Sequence, residues 1–167
     1  MESIDPFISL TRQLSKRDFV AHVHGYMFFK TPLCRPQVGP MEYETAMFRS
    51  DDPAIEISTL PAWAVAAIRK RPGNPFPDRI SVGRALNCDV VLRLSFVSKL
   101  HAHLLIEDGQ VRALVDNNST NGTKINGTPL IPGKATRVES DDLVSFGELD
   151  LTLLSPNDLY DRLIARR

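Results

Sequence analysis

Three clusters in the middle of the chain pair a turn signal with side chains able to hold an oxyanion. They are Ser81-Val82-Gly83-Arg84, Val97-Ser98-Lys99-Leu100-His101-Ala102, and Ser119-Thr120-Asn121-Gly122-Thr123-Lys124-Ile125-Asn126-Gly127. Arg84 offers a rigid fork of donors that matches a phosphate or carboxylate, and Gly83 before it lets backbone approach closely. The competing reading of Arg84 is a solvated surface partner for Asp89. Ser98 offers a neutral hydroxyl donor, although a serine here also suits turn capping. Ser119, Thr120 and Asn121 put two hydroxyls and a carboxamide on one expected loop tip. Asn121-Gly122 and Asn126-Gly127 are both strong hairpin signals, because tight type I′ turns need positive φ. On turn chemistry alone, both are plain surface turns.

Other chemistries find little support. Ser98-x-x-His101 holds a nucleophile and a base, but no orienting carboxylate or oxyanion motif accompanies them. His22 and His24 would face different sides of a helix and have no Cys or acidic cluster beside them. No Gly-rich nucleotide loop is present. The expectation is a protein with no catalysis of its own, no metal and no cofactor.

The elements that must position these clusters read as strands. Short apolar runs at 80–82, 89–92, 103–106, 111–115, 136–138, 143–146 and 149–154 are bounded by Gly, Pro or Asp. Turn signals recur about every ten residues, the mark of an antiparallel two-sheet β-sandwich. The three clusters are then loop tips at one end of it. Trp63, Val65 and Ala67 alternate as a strand would, although their neighbours also suit a helix. The tight turn at Arg71-Pro72-Gly73-Asn74-Pro75 favours the strand.

The flanks differ in pattern. Asp5-Pro6 reads as a helix cap with proline at the first helical position, and Phe7, Ile8, Leu10 and Leu14 recur at helical spacing. Ser15 to Asp18 resembles a weak capping box, and Gly25 a helix stop. One bent helix or two short ones fit. Tyr26–Lys30 stays open between strand and packed loop. Prolines at 32, 36 and 40 predict irregular structure, with a short helix around 42–48. After Pro156, a cap at Asn157 or Asp158 starts a last helix with Leu159, Leu163 and Ile164 inward. The expected class is mainly β: a partly helical extension at 1–60 packed on a sandwich at 61–155, then a short helix at 156–167.

Bulk properties narrow the function. The 167 residues are 43% hydrophobic and 24% charged, as in ordinary globular domains. Lys plus Arg and Asp plus Glu are 20 each, which excludes a whole-chain basic field and argues against nucleic acid as a partner. No apolar run is long enough to span a membrane, and the start lacks the basic and apolar regions of a signal peptide. Cys34 and Cys88 share no motif. A cytoplasmic protein with reduced thiols is expected.

The ordered set Gly83-Arg84, Ser98-x-x-His101, Ser119-Thr120-Asn121-Gly122-Thr123 and Asn126-Gly127 resembles the signature of forkhead-associated (FHA) domains. Asn87 to Leu92 and Asp141 to Gly147 agree with the same pattern, so the resemblance covers about residues 61–155. It implies a sandwich that binds phosphothreonine peptides through loops at one end. By resemblance, Arg84, Ser98 and Thr120 contact the phosphate, with Lys99 as a second, more variable cation. Thr120 also shapes the slot for the threonine γ-methyl group. Asn121 holds the peptide main chain, and Asn126 is either a second such contact or a hairpin asparagine. Gly83, His101 and Gly122 support the loops. In such domains the loop before the serine reads the third residue after the phosphothreonine. Phe96 there predicts an apolar rather than acidic preference. The implied partner is a phosphothreonine protein, a Ser/Thr kinase or its substrate, and the implied role a signalling adaptor. The other reading is a phospho-independent assembly domain, which the aromatic-rich first 60 residues motivate. Oligomeric state stays open.

Overall fold

The computed structural model describes residues 1–31 and 63–165. The expected helix around 42–48 lies outside them, as does Cys34. Among the described residues the strands are β1 (Glu2–Ser3), β2 (Met27–Lys30), β3 (Ala64–Ala67), β4 (Arg79–Gly83), β5 (Val90–Val91), β6 (Ala102–Glu107), β7 (Gln110–Asp116), β8 (Thr123–Ile125), β9 (Thr128–Pro129), β10 (Thr136–Arg137), β11 (Leu143–Phe146) and β12 (Leu149–Leu154). The helices are α1 (Asp5–Gln13), α2 (Lys16–Val23) and α3 (Pro156–Ile164). The protein is a mainly β, two-sheet sandwich. One sheet runs β1-β3-β2-β12-β11-β8-β9 and the other β10-β7-β6-β4-β5. All pairings are antiparallel except β4 with β5, which is parallel.

The two sheets close on Val82, Leu104, Leu114, Val144, Phe146, Leu151 and Leu153, all fully buried. These sit at alternate positions of their strands, so sheet period decides which residues meet. The seven-stranded sheet buries its other face too. Phe19, Val23, Leu159 and Leu163 from α2 and α3 pack on Met27, Phe29, Val65 and Leu154. That explains why Tyr26–Lys30 was undecidable from periodicity. A strand apolar on both faces does not alternate. Phe28 points into the sandwich while Met27 and Phe29 meet the helices, and all three are at most 1% exposed. A strand from the segment expected as an extension thus runs between β3 and β12 inside the sheet.

Helix boundaries follow local chemistry with two shifts. Two short helices form rather than one bent one. Ser15 caps α2 by accepting from the Asp18 N–H at 3.3 Å, and His24 at φ 44° ends it. For α1 the cap position is Ile4, and Asp5 lies in the first turn beside its negative-favouring end. For α3 the cap is Ser155 rather than Asn157 or Asp158. Its hydroxyl accepts from Asp158 N–H, and Pro156 takes the first helical position, where no N–H is needed. Among the described residues no helix is long and apolar enough to cross a membrane.

Asp89, only 8% exposed, locks the β3–β4 turn to the start of β5. It accepts from the Arg71 N–H (2.7 Å), the Asn74 amide (2.6 Å), and the N–H and hydroxyl of Ser81 (both 2.8 Å), with the Lys70 ammonium at 3.3 Å. Its carboxylate therefore serves this turn. Burial pushes its pKa up, but the Arg71 and Ser81 N–H groups, then the Asn74 and Ser81 side chains, outweigh burial and hold it at about 2. The folded value is below the unfolded 3.8, so this stabilisation is present above pH 3.8 and is lost as pH falls towards 2. Asp89→Asn should cost at least about 2 kcal/mol at pH 7. Urea denaturation of both proteins across pH checks this, with the gap expected to narrow below pH 3.8.

Candidate functional site

Three loops at one end of the sandwich converge: the turn after β4, the segment before β6, and the segment from β7 to β8. Gly83 closes β4 against the second of these. A Cβ on Gly83 would lie 2.3 Å from the Lys99 carbonyl oxygen and 3.0 Å from Leu100 Cα, so only glycine fits. The loops are stitched by the Arg84 N–H to Ser98 C=O bond (2.9 Å) and the Ala85 N–H to Lys99 C=O bond (3.1 Å). Arg84 Nε donates to Val97 C=O at 3.2 Å, which lays its guanidinium along the Ser98 loop. The bland pairing of Arg84 with Asp89 finds no support, since Asp89 serves the β3–β4 turn.

Ser98 faces Thr120 across the gap between loops. The Thr120 N–H donates to Ser98 Oγ at 3.1 Å, and the two hydroxyl oxygens are 3.4 Å apart. Asn121 reaches the same loop, donating its amide to Phe96 C=O at 2.7 Å. Thr120 and Asn121 remain exposed. Phe96 is half-buried, and its ring borders Gly147, where an added Cβ would meet it at 3.0 Å. Arg84, Ser98, Thr120, Asn121 and Phe96 are thus brought together. Lys99 is exposed next to Ser98, with its backbone carbonyl held by Ala85 and by the Cys88 thiol at 3.2 Å.

Two asparagine turns diverge in role. Asn126 and Gly127 have φ of 50° and 80°, the left-handed pair that a tight β8–β9 hairpin needs. At Asn121-Gly122 only Gly122 is left-handed, at 72°, because Asn121 stretches back towards Phe96 rather than folding a hairpin. Asn126 sits at the far end of β8 from Asn121. Its amide donates to Asp142 Oδ1 (2.7 Å) and its oxygen accepts from the Leu143 N–H (2.9 Å). Both ends of that carboxamide are engaged inside the domain.

His101 is wholly buried and joins two loops. Its Nδ1 accepts from the Ser98 N–H at 3.1 Å, and its Nε2 lies 3.1 Å from the Gly122 C=O. A donor on one side and an acceptor on the other specify a neutral ring protonated on Nε2. Burial lowers its pKa, against the raising pulls of the Gly122 carbonyl and the Asp116 charge. Phe146 stacks edge-on to the ring at 5.6 Å between centroids. The ring is a brace between the two loops.

Asp116 is the functional residue that motif reasoning missed. It is 1% exposed and accepts from the Ser119 hydroxyl and the Thr123 hydroxyl, each at 2.6 Å, and from the Ser119 N–H at 3.0 Å. Burial raises its pKa, but those hydroxyls and that N–H lower it further, so it stays ionised. Ser119 therefore turns inward instead of presenting its hydroxyl at the loop tip. An aspartate three residues before a serine is the local signal for such a turn. The outcome is an open surface carrying a guanidinium, two hydroxyls, an amide and an exposed ammonium. That set matches a tetrahedral dianion attached to a short stretch of extended chain.

Residues 80–147 match the FHA domain family model. Protein FraH from Nostoc sp. (strain PCC 7120 / SAG 25.82 / UTEX 2576) is 34% identical over 96 residues, 58% of this chain but only 30% of that protein. Among solved structures, one from a structural and functional analysis of phosphothreonine-dependent FHA domain interactions is 25% identical, covers 55% of this chain and 83% of its own, and has a TM-score of 0.44. The N-terminal FHA domain of S. cerevisiae Rad53p in complex with a phosphothreonine peptide is 21% identical, covers 63% and 92%, and has a TM-score of 0.47.

Two measurements test the loop scaffold. Gly83→Ala should lower Tm by several degrees, because its methyl would press on backbone rather than on a mobile side chain. For His101, the folded pKa lies below the ordinary 6.5. Its contribution is full above pH 6.5, begins to fall as pH drops through that value, and is gone below the folded pKa. His101→Phe should remove that segment of the stability–pH curve, read by thermal melts from pH 4 to about 8.

Proposed function

From the match of residues 80–147 to the FHA domain family, we propose that this chain binds phosphothreonine peptides and acts as an adaptor in Ser/Thr-kinase signalling. Convergence of Arg84, Ser98 and Thr120 on one braced loop end is the observation that carries this reading. Phosphothreonine brings about two negative charges and three acceptor oxygens, and a guanidinium meets such a group with parallel charge-assisted bonds. Ser98 and Thr120 add hydroxyl donors, and Lys99 adds a second cation at the edge. The Asn121 carboxamide, now on Phe96 C=O, both donates and accepts, as an extended peptide main chain requires. Asn126 is a weaker candidate for such a contact, because its amide and oxygen are both in use. The partner in this reading is a phosphorylated kinase or kinase substrate. No step of bond-making is assigned to the chain.

Phe96, beside Gly147 and Asn121, is assigned to reading the residue three positions after the phosphothreonine. It offers apolar surface and no charge, so an apolar residue is favoured there. Strong Asp or Glu selection at that position in a phosphothreonine peptide library would remove the assignment.

The central test is a titration with one peptide in phosphothreonine, phosphoserine and unmodified forms. The phosphothreonine form should bind best and the unmodified form not at all. Arg84→Ala should weaken the phosphothreonine peptide by about 30-fold or more, the range for truncating one side of a charged pair. Equal binding by the mutant would sink the site. Partner capture that survives both phosphatase treatment and Arg84→Ala would move the function to phospho-independent assembly.

A further inference from the structure

A cleft of about 450 Å³ lies on the outer side of the five-stranded sheet and shares Lys99 with the edge of the proposed phosphate site. Arg79 and Ser81 of β4 and His103 of β6 line it from adjacent strands, with Ser81 and His103 directly paired. Phe76, Lys99 and Leu100 border it. Three lining residues, Lys70, Arg79 and Lys99, are cationic, and among the described residues no carboxylate lines it. Two carboxylates sit beside it, the buried Asp89 at 3.3 Å from Lys70 and the exposed Asp78 at 3.5 Å from Arg79, so the three cations outnumber the acids paired with them. Phe76 is 57% exposed and Leu100 52%, so the cleft joins positive charge to open apolar surface.

A donor in the cleft also lacks a partner. His103 Nδ1 lies 2.9 Å from Asn117 Oδ1, which leaves the Asn117 amide nitrogen buried and without a hydrogen bond. A buried donor left unmade is costly, so a side-chain shift that opens the Asn117 amide to an acceptor in the cleft would be favoured. Cations, apolar walls and an unmet donor together describe a receptor for an acidic chain with at least one large apolar residue.

We propose that this cleft docks an acidic, apolar-containing segment of the same phosphorylated partner, beyond the residues next to the phosphothreonine. This rests on the phosphopeptide reading above. Continuity of the chain supports it. The loop segments that carry Arg84 and Ser98 run directly into Ala85, Lys99 and Leu100, which border the cleft. The phosphate sets the register, and the cleft adds affinity by keeping the second contact intramolecular.

The experiment uses the full chain and the tightest short phosphothreonine peptide from the titration. That peptide is compared with versions extended on its N-terminal or C-terminal side by Asp, Glu and Leu residues. One extension should strengthen binding about tenfold at low salt, as two or three exposed charge pairs would together. The gain should shrink with added salt. Arg79→Glu and Phe76→Ser alter exposed side chains, and both should abolish the gain while leaving the short peptide's affinity unchanged. No gain from either extension, or a gain that both variants keep, overturns the proposal. If the short phosphopeptide itself fails to bind, the phosphothreonine reading falls separately. The cleft is then judged with the unphosphorylated extension alone, by NMR shifts at Phe76, Arg79 and His103. Absence of shifts there overturns it.

Discussion

One neutral imidazole holds the functional end of this molecule together. His101 accepts from Ser98 N–H and donates to Gly122 C=O, so it spans the gap between the loop that presents Ser98 and the loop that presents Thr120. A protonated ring would face the Ser98 N–H with a second donor. Full burial prevents that by raising the cost of the charged form. The separation of Ser98 from Thr120 is thereby set by a rigid ring rather than by two flexible loops. For the proposed phosphate site such preorganisation is a gain, because its donors are ordered before the ligand arrives.

The brace itself is supported from deep in the sandwich. Phe146 packs edge-on against His101, and Phe28 packs edge-on against Phe146 at 5.4 Å. Phe28 comes from β2, so the N-terminal part of the chain contributes to the floor under the loops. Helices α2 and α3 cover the other face of that strand. Losing β2 would open the seven-stranded sheet between β3 and β12 and expose Phe146. The N-terminal segment is thus part of what positions the site.

Charge is handled in two ways. The buried acids Asp89 and Asp116 are each held by hydrogen bonds from their own loops, and Asp89 also pairs with Lys70. Lys99 is exposed beside Ser98, whereas Arg84 is half-buried with its Nε on the Val97 carbonyl.

How much of this was legible in the sequence differs by element. The sandwich strands were readable because a half-buried strand alternates, and β4, β6, β7, β11 and β12 all appear near the expected runs. Gly83, Arg84, Ser98 and His101 stood out because few residue types fit a close backbone approach beside an anion. β2 was not readable, since burial on both faces erases alternation. The inward turn of Ser119 carried a local signal, Asp116 three residues before it, which the motif reading passed over in favour of the loop tip. Residue types and spacing by themselves determined the class of fold and the chemistry available at its loops. Tertiary structure decided which donors point outward, that β2 completes the sheet, and that Asn126 is tied to Asp142 and Leu143. Those outcomes turn on contacts between residues distant in the chain, which no local pattern encodes.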